Sequence, residues 1–189
     1  MSEPGAESPR GTMTYADYAV LPDDGRRYQL VEGELIVAPA PTTWHQLIQG
    51  EIYYRLRIHV DAKGLGHVLG APLDVVLDDR NVLQPDVLFV SNERAAVLER
   101  KNVQGPPDLV VEVLSPGTER LDRVRKLGLY GRFGAAHYWI VDIDARAVEE
   151  YVLHGDVHRA RSVTPFDEPF RPVLFPGFEL RLGAVVLPA

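Results

Sequence analysis

DLVVEVLSPGTERLDRVRKLGLYGRFGAAHYWIVDI, residues 108–143, decides the fold. Its opening, Asp108 to Pro116, is an apolar, β-branched run of the kind that fills a buried central strand. Ser115-Pro116-Gly117-Thr118 reads as a loop ending in a helix cap. The helix it starts runs from about Glu119 to Phe133 and stops at Gly134. His137 to Ile143 is again apolar and strand-like. A strand, a helix and a strand over this length fit a parallel crossover. The expected fold is therefore α/β, a mixed β-sheet core flanked by helices.

The flanking sequence extends this frame in both directions. Thr14 caps a short helix to Leu21, and Tyr28 to Pro39 forms two strands around Glu32-Gly33. Thr42 or Thr43 caps a long helix to about Ala62, with Gly64 and Gly66 after its end. Gly66 to Asp78 is strand-like and Asp78 to Asn81 turns. LQPDVLFV, Leu83 to Val90, is a second apolar strand, and Asn92 to Lys101 a short helix. On the far side, Ala147 to His154 and Asp156 to Thr164 pair as a hairpin around His154-Gly155-Asp156. The remainder is Pro-rich and irregular, with one short strand near Phe178 to Leu182.

Bulk properties narrow the function. The 189 residues suit one domain, placed at 13–189 after a polar, disordered tail over residues 1–12. At 46% hydrophobic and 25% charged, the composition is that of an ordinary globular chain. The absence of cysteine excludes disulfides and thiolate zinc. No apolar run approaches the ~20 residues of a membrane span, so no membrane partner is expected. MSEPGAESPRGT has no apolar core of a secretory signal, and the expected location is cytoplasmic. The net charge of −7 argues against tight, sequence-independent nucleic-acid binding, which needs basic surface. It leaves room for a small nuclease site whose own acids add to that count.

The candidate chemistry starts from two misplaced acids. Glu112 sits inside one apolar strand and Asp86 just ahead of Val87, Leu88, Phe89 and Val90 in the other. A buried carboxylate is expensive unless a cation or hydrogen bonds hold it. Alternation groups Asp108, Val110, Glu112 and Leu114 on one side, and Gln84, Asp86, Leu88 and Val90 on one side of the other strand. If the strands are neighbours, both acids share a face, and an oxygen-only donor pair suits Mg²⁺ or Mn²⁺. A structural role fits the same residues equally well, with Asp86 capping a strand end and Glu112 paired to an arginine. On the following helix Leu121, Val124, Leu127 and Tyr130 form an apolar stripe, with Asp122 and Lys126 on its flank. From there Lys126 can lay its stem over apolar surface and reach the acids, with Asp122 orienting it or the chain entering the helix. Its alternative is an exposed Asp122–Lys126 pair worth ~0.3–0.5 kcal/mol.

ELIVAPAPTTWHQLI, QPDVLFV, and EVLSP followed by D-x-x-x-K-x-x-x-Y and YWIVD together resemble the Uma-type restriction endonuclease family of the PD-(D/E)xK nuclease superfamily. The likeness runs from about Tyr15 to Leu182. It implies a restriction-endonuclease-like fold and metal-dependent cleavage of phosphodiester bonds, with Asp86 and Glu112 as the two acids and Lys126 as the lysine. The superfamily's usual lysine, two residues past the second acid, would be residue 114, which is Leu114 here. The following helix supplies Lys126 instead. On this footing Asp86, Glu112 and the carbonyl of Val113 hold Mg²⁺ or Mn²⁺. The partner is a nucleic acid, DNA before RNA, and double-strand cutting would want a two-fold homodimer. Glu32 matches a recurrent acid of the family and is a candidate further ligand, against the alternative of a hairpin-turn acid. His45 opens the long helix on the side of Ile48, Ile52 and Leu56, as a candidate catalytic group or a hydrogen-bonded core histidine. The rival function is a catalytically inactive module that keeps this fold for binding or assembly.

Overall fold

The computed structural model describes residues 12–115 and 117–185. The tail expected over residues 1–12 lies, up to residue 11, outside the described residues. Thr14 caps α1 (Tyr15–Tyr18) through a reciprocal bond with Asp17. The hairpin of β1 (Arg27–Val31) and β2 (Glu34–Ala38) turns at Glu32 and Gly33, with φ of 55° and 79°. Two successive positive φ values are what a tight two-residue hairpin demands, and Gly33 meets this without cost. Thr42 caps α2 (Thr43–Lys63) by accepting from the His45 amide, and Gly64 closes it in the left-handed conformation.

Beyond α2 the chain builds β3 (Gly66–Gly70), β4 (Val75–Asp78), β5 (Asn81–Leu83), β6 (Val87–Ser91), β7 (Val103–Gln104) and β8 (Leu109–Val113). It ends with β9 (His137–Asp142), β10 (Ala147–His154) and β11 (Val157–Pro165). These strands make two sheets where the sequence suggested one. A five-stranded sheet has the order β2-β1-β5-β4-β7, and a six-stranded sheet the order β11-β10-β9-β8-β6-β3. The difference comes from prolines inside apolar runs. Pro72 divides Gly66 to Asp78 into β3 and β4, and Pro85 divides Leu83 to Val90, so each half joins a different sheet. Proline has no amide hydrogen for the ladder, and its ring breaks strand continuity.

The expected parallel crossover is present, with β8 and β9 pairing parallel from Leu109↔His137 to Val113↔Val141. Its other neighbour, β6, is antiparallel, with Val87 opposite Val111. Both faces of the six-stranded sheet are covered. On one face Ile48, Ile52, Leu56 and Val60 of α2 meet Val87, Phe89, Val111, Val113 and Trp139. The C-terminal aromatics Phe166, Phe170, Phe175 and Phe178 complete that layer. On the other face Leu88, Val90, Val110, Leu114, Tyr138 and Ile140 pack against Leu129 and Tyr130 of the crossover helix and against the smaller sheet. The alternation predicted for both strands therefore holds residue by residue. Glu150 of β10 is fully buried but satisfied by Arg161, Ser162 and the Val173 amide, which ties the irregular C-terminal segment to the sheet.

The crossover helix, residues 119–132, is not uniform. Leu121–Lys126 is a π turn, followed by the α-helix α3 (Leu127–Arg132). The apolar stripe expected from 3.6-residue spacing fails in this part. Val124 is 62% exposed, while Asp122 and Lys126 take the buried side. The wider π turn carries this change of register, since it holds more residues per turn than the spacing assumes.

Candidate active site

One small pocket collects most of the sequence-predicted residues. Asp86, Glu112, Val113, His45 and Lys126 all line it, with Asp122, Arg27, Gln29 and Gln84. Its free volume is about 30 Å³, room for a small ion or a few waters and not for a nucleotide.

Asp86 is held at the pocket by the break at Pro85. Extending the β6–β8 register one step places Asp86 opposite Glu112, so both side chains leave the same face. Asp86 Oδ2 accepts the Val113 amide at 2.8 Å and lies 3.1 Å from His45 Nε2. A carboxylate only accepts, so Nε2 carries a proton, while the buried Nδ1 has no partner among the described residues. Gln49, one turn along α2, donates to the Asp86 carbonyl at 2.9 Å. Asp86 thus does cap a strand end, as the structural alternative had it, and faces the pocket as well.

Glu112 pairs with a lysine rather than an arginine. Lys126 Nζ lies 3.0 Å from Glu112 Oε1 and 2.8 Å from Asp122 Oδ1. The second contact is off the hydrogen-bonding direction, so it is electrostatic. All three side chains are almost wholly buried. Burial works against the Lys126 charge, but Glu112, then Asp122 and Asp86, outweigh it and hold the ammonium above the ordinary lysine range. The Glu112 carboxyl is pushed well above the usual carboxylate range by burial, with Asp122 and Asp86 adding and Lys126 opposing. Three buried acids share one buried base, and the crowding of negative charge adds to burial in opposing the ionisation of Glu112.

The helix that delivers Lys126 is clamped on both flanks. Arg123 reaches Asp142 at 2.6 Å and Glu149 at 2.7 Å, tying it to β9 and β10. Arg125 bonds Glu34 at 2.7 Å and the Val31 carbonyl at 3.0 Å, tying it to the β1–β2 hairpin. The Tyr138 hydroxyl donates to the Asp122 carbonyl at 3.0 Å from inside the core.

Glu32 is not brought to this pocket. It sits half-exposed in the β1–β2 turn, 2.8 Å from Arg132 and 3.7 Å from Arg125. Its expected place among metal ligands gives way to the hairpin-turn role, because the pocket is reached by the other face of β1, through Arg27 and Gln29. Sequence reasoning passed over Gln29 and Arg27, set Gln84 on the Asp86 side of its strand without a role, and gave Asp122 an orienting place beside Lys126. Alternation along β1 marks Arg27 and Gln29 as facing one way, but both faces of this strand are covered and nothing local says which meets the pocket.

A divalent cation fits the donor set. The side chains of Asp86 and Glu112 bring hard oxygen donors to one face of a pocket where acids outnumber the cations Arg27 and Lys126. Among the described residues no three His, Asp or Glu side chains form a ready cage. Two acids with backbone oxygen and water suit Mg²⁺, which keeps several of its waters.

The fold matches a solved structure described as "a putative nuclease belonging to DUF820" from Anabaena variabilis ATCC 29413, with a TM-score of 0.74 at 20% identity. The match covers 92% of this chain and 97% of the other. No curated protein matches the chain. No helix among the described residues is long and apolar enough to cross a membrane. The model of the Uma2 family, described as "Putative restriction endonuclease", matches residues 15–183, and the chain belongs to that family.

Proposed function

We propose that this protein is a metal-dependent nuclease that hydrolyses phosphodiester bonds, DNA before RNA, at the pocket of Asp86, Glu112 and Lys126. The observation that carries the reading is the buried ammonium of Lys126, held between Glu112 and Asp122 in the pocket that Asp86 also lines. Asp86, Glu112 and the Val113 carbonyl would hold Mg²⁺ or Mn²⁺. Such an ion supplies Lewis acidity toward a phosphoryl oxygen and a lower pKa for its water. Lys126 presents a fixed positive charge to the oxyanion that develops during attack, without reorganisation at that moment. His45 holds Asp86 in orientation through Nε2, leaving the other carboxylate oxygen for the ion. The pocket is too small for a nucleotide, so the backbone lies across its mouth. A two-fold homodimer would let two such sites cut both strands of a duplex.

The test is a cleavage assay on mixed DNA and RNA substrates with Mg²⁺ or Mn²⁺, using Glu112→Ala as control. Metal-dependent products from the wild type alone support the reading. Their absence on every substrate would leave the non-catalytic binding module in its place.

A further inference from the structure

We infer that Arg27 is a phosphate clamp for the substrate backbone, oriented by a relay from Asp74 through Gln84. The inference rests on the nuclease reading above and assigns the chemistry that would hold the polymer at the pocket.

Two cations line the pocket, Arg27 and Lys126. Lys126 is committed to Glu112 and Asp122. Arg27 touches no carboxylate among the described residues. Arg123, Arg125 and Arg132 of the adjoining helix behave differently, since each is paired to an acid. In a chain of net charge −7, an arginine left without an acid beside three buried carboxylates needs a reason.

Among the described residues the one side-chain hydrogen bond of Arg27 is from Nε to Gln84 Oε1, at 3.4 Å. Its two terminal nitrogens have no partner among the described residues, and the side chain is half-buried at the edge of the pocket. The orientation of Gln84 is fixed from behind. Its Nε2 donates to Asp74 Oδ1 at 2.8 Å, and the Tyr18 hydroxyl donates to the same oxygen at 2.9 Å. A carboxylate can only accept and the Arg27 Nε–H can only donate, so one orientation of the amide satisfies both sides. The Gln84 backbone N–H also donates to Gln29 Oε1 at 3.1 Å, which pins this residue to β1. The result is a guanidinium held by its inner nitrogen with its outer fork open. That planar fork matches two non-bridging oxygens of a phosphodiester, which a lysine does not.

The experiment measures binding of short fluorescein-labelled duplex DNA, single-stranded DNA and RNA by anisotropy in Ca²⁺, across a salt series. The proteins are wild type, Arg27→Ala, Arg27→Lys, Asp74→Asn and the control Arg26→Ala, each with a thermal melt. Arg27→Ala is expected to weaken binding by about 10- to 100-fold, the loss of a charge-assisted bond. It should also flatten the slope of log affinity against log salt by ~0.7–0.9, the release of one phosphate contact. Arg27→Lys keeps the slope but recovers only part of the affinity, and it stands in if the alanine variant fails to fold. Asp74→Asn removes a negative charge, which alone would strengthen binding to a polyanion. A weakening there reports the loss of Arg27 orientation, and a strengthening overturns the relay. Wild-type binding that Arg27→Ala leaves unchanged in affinity and slope overturns the clamp and spares the nuclease reading. Absence of both binding and cleavage in the wild type overturns both.

Discussion

Replacing Glu112 by glutamine should make the metal-free protein more stable and deaf to metal. The site holds the carboxylates of Asp86, Glu112 and Asp122 against the single ammonium of Lys126, a formal charge of −2 with His45 uncounted. None of the four is more than 5% exposed. Breaking a buried ion pair usually costs ~3–5 kcal/mol, because it strands a charge. That cost does not apply here. Lys126 keeps Asp122 at 2.8 Å, and the glutamine carbonyl still accepts from Nζ. What disappears is the burial of a carboxylate that already resists ionisation, together with its repulsion by Asp86 and Asp122. The net gain should be about 1 kcal/mol, as for other relieved active-site strain. In a 189-residue protein that raises the melting temperature by roughly 2–4 °C.

Metal reverses the order. At one hundred times its Kd, Mn²⁺ stabilises a native site by ~2.7 kcal/mol, which moves the wild-type melt by roughly 5–11 °C. Glu112→Gln should move little. The assay is four thermal melts, of wild type and variant with and without Mn²⁺. An equal response to Mn²⁺ would show that Glu112 is not a ligand. A metal-free melt that drops in the variant would show that the ionised carboxylate holds the fold.

Lys126→Met leaves three buried carboxylates without a cation and should cost ~3–5 kcal/mol in a denaturant melt, part of it recovered by Mn²⁺; an unchanged metal-free midpoint would contradict the charge balance. Two glycines of the crossover helix should respond oppositely to alanine. A Cβ at Gly128 meets nothing within 4 Å, so Gly128→Ala gains ~1 kcal/mol of helix propensity. A Cβ at Gly131 would lie 2.8 Å from the Asp156 carbonyl oxygen and 3.2 Å from His158 Nδ1, so Gly131→Ala loses ~1–3 kcal/mol, more than propensity returns. Equal shifts in the two melts would refute the packing of this helix on β11. Acid should weaken the fold through His137 and His158. Burial is the largest cause holding both imidazoles below their ordinary value, opposed at His158 by the Leu127 and Ala135 carbonyls and at His137 by Glu150. A depressed folded value means that the unfolded chain binds more protons, so this stability is full above about pH 6.5 and is lost as pH falls from there toward the folded values. Melts from neutral to mildly acidic pH, paired with NMR titration of the two rings, should show that decline; rings titrating at their ordinary value would refute it.

The fold was legible where local pattern and tertiary context agree. Thr42, Gly64 and the Glu32-Gly33 turn fix element ends by backbone chemistry alone, and the structure places those ends there. The parity of Asp86 and Glu112 was legible because both strands are covered on both faces, so their alternation is anchored by apolar neighbours. Glu32 failed for a related reason. Leu30 is buried on one face of β1 and Val31 on the other, so hydrophobicity names neither face as the functional one. The second sheet was hidden because Pro72 and Pro85 interrupt runs that remain apolar on both sides. The depth of Asp122 was hidden because its burial depends on a π turn, which no 3.6-residue periodicity anticipates.

The place of the lysine follows from the same packing. Position 114 lies on the Glu112 face by alternation, but the face is no longer open there. Leu114 is 8% exposed and belongs to the core layer with Leu88, Tyr138 and Ile140. An ammonium at that point would be buried with its stem already surrounded, at a cost only a well-aimed acid could offset. The crossover helix offers a cheaper route. It packs across that face, and its buried side carries Asp122 and Lys126 at i and i+4, so the lysine arrives beside Glu112 with a second acid already alongside. Arg123 and Arg125 then fix the helix to elements on either side, so the Nζ position depends on three parts of the fold at once. That arrangement explains why the charge is buried in the helix and why Val124, an apolar residue, is left facing out. The polar pair holds the inward side because Lys126 pairs there with both Glu112 and Asp122, and the apolar residue yields it.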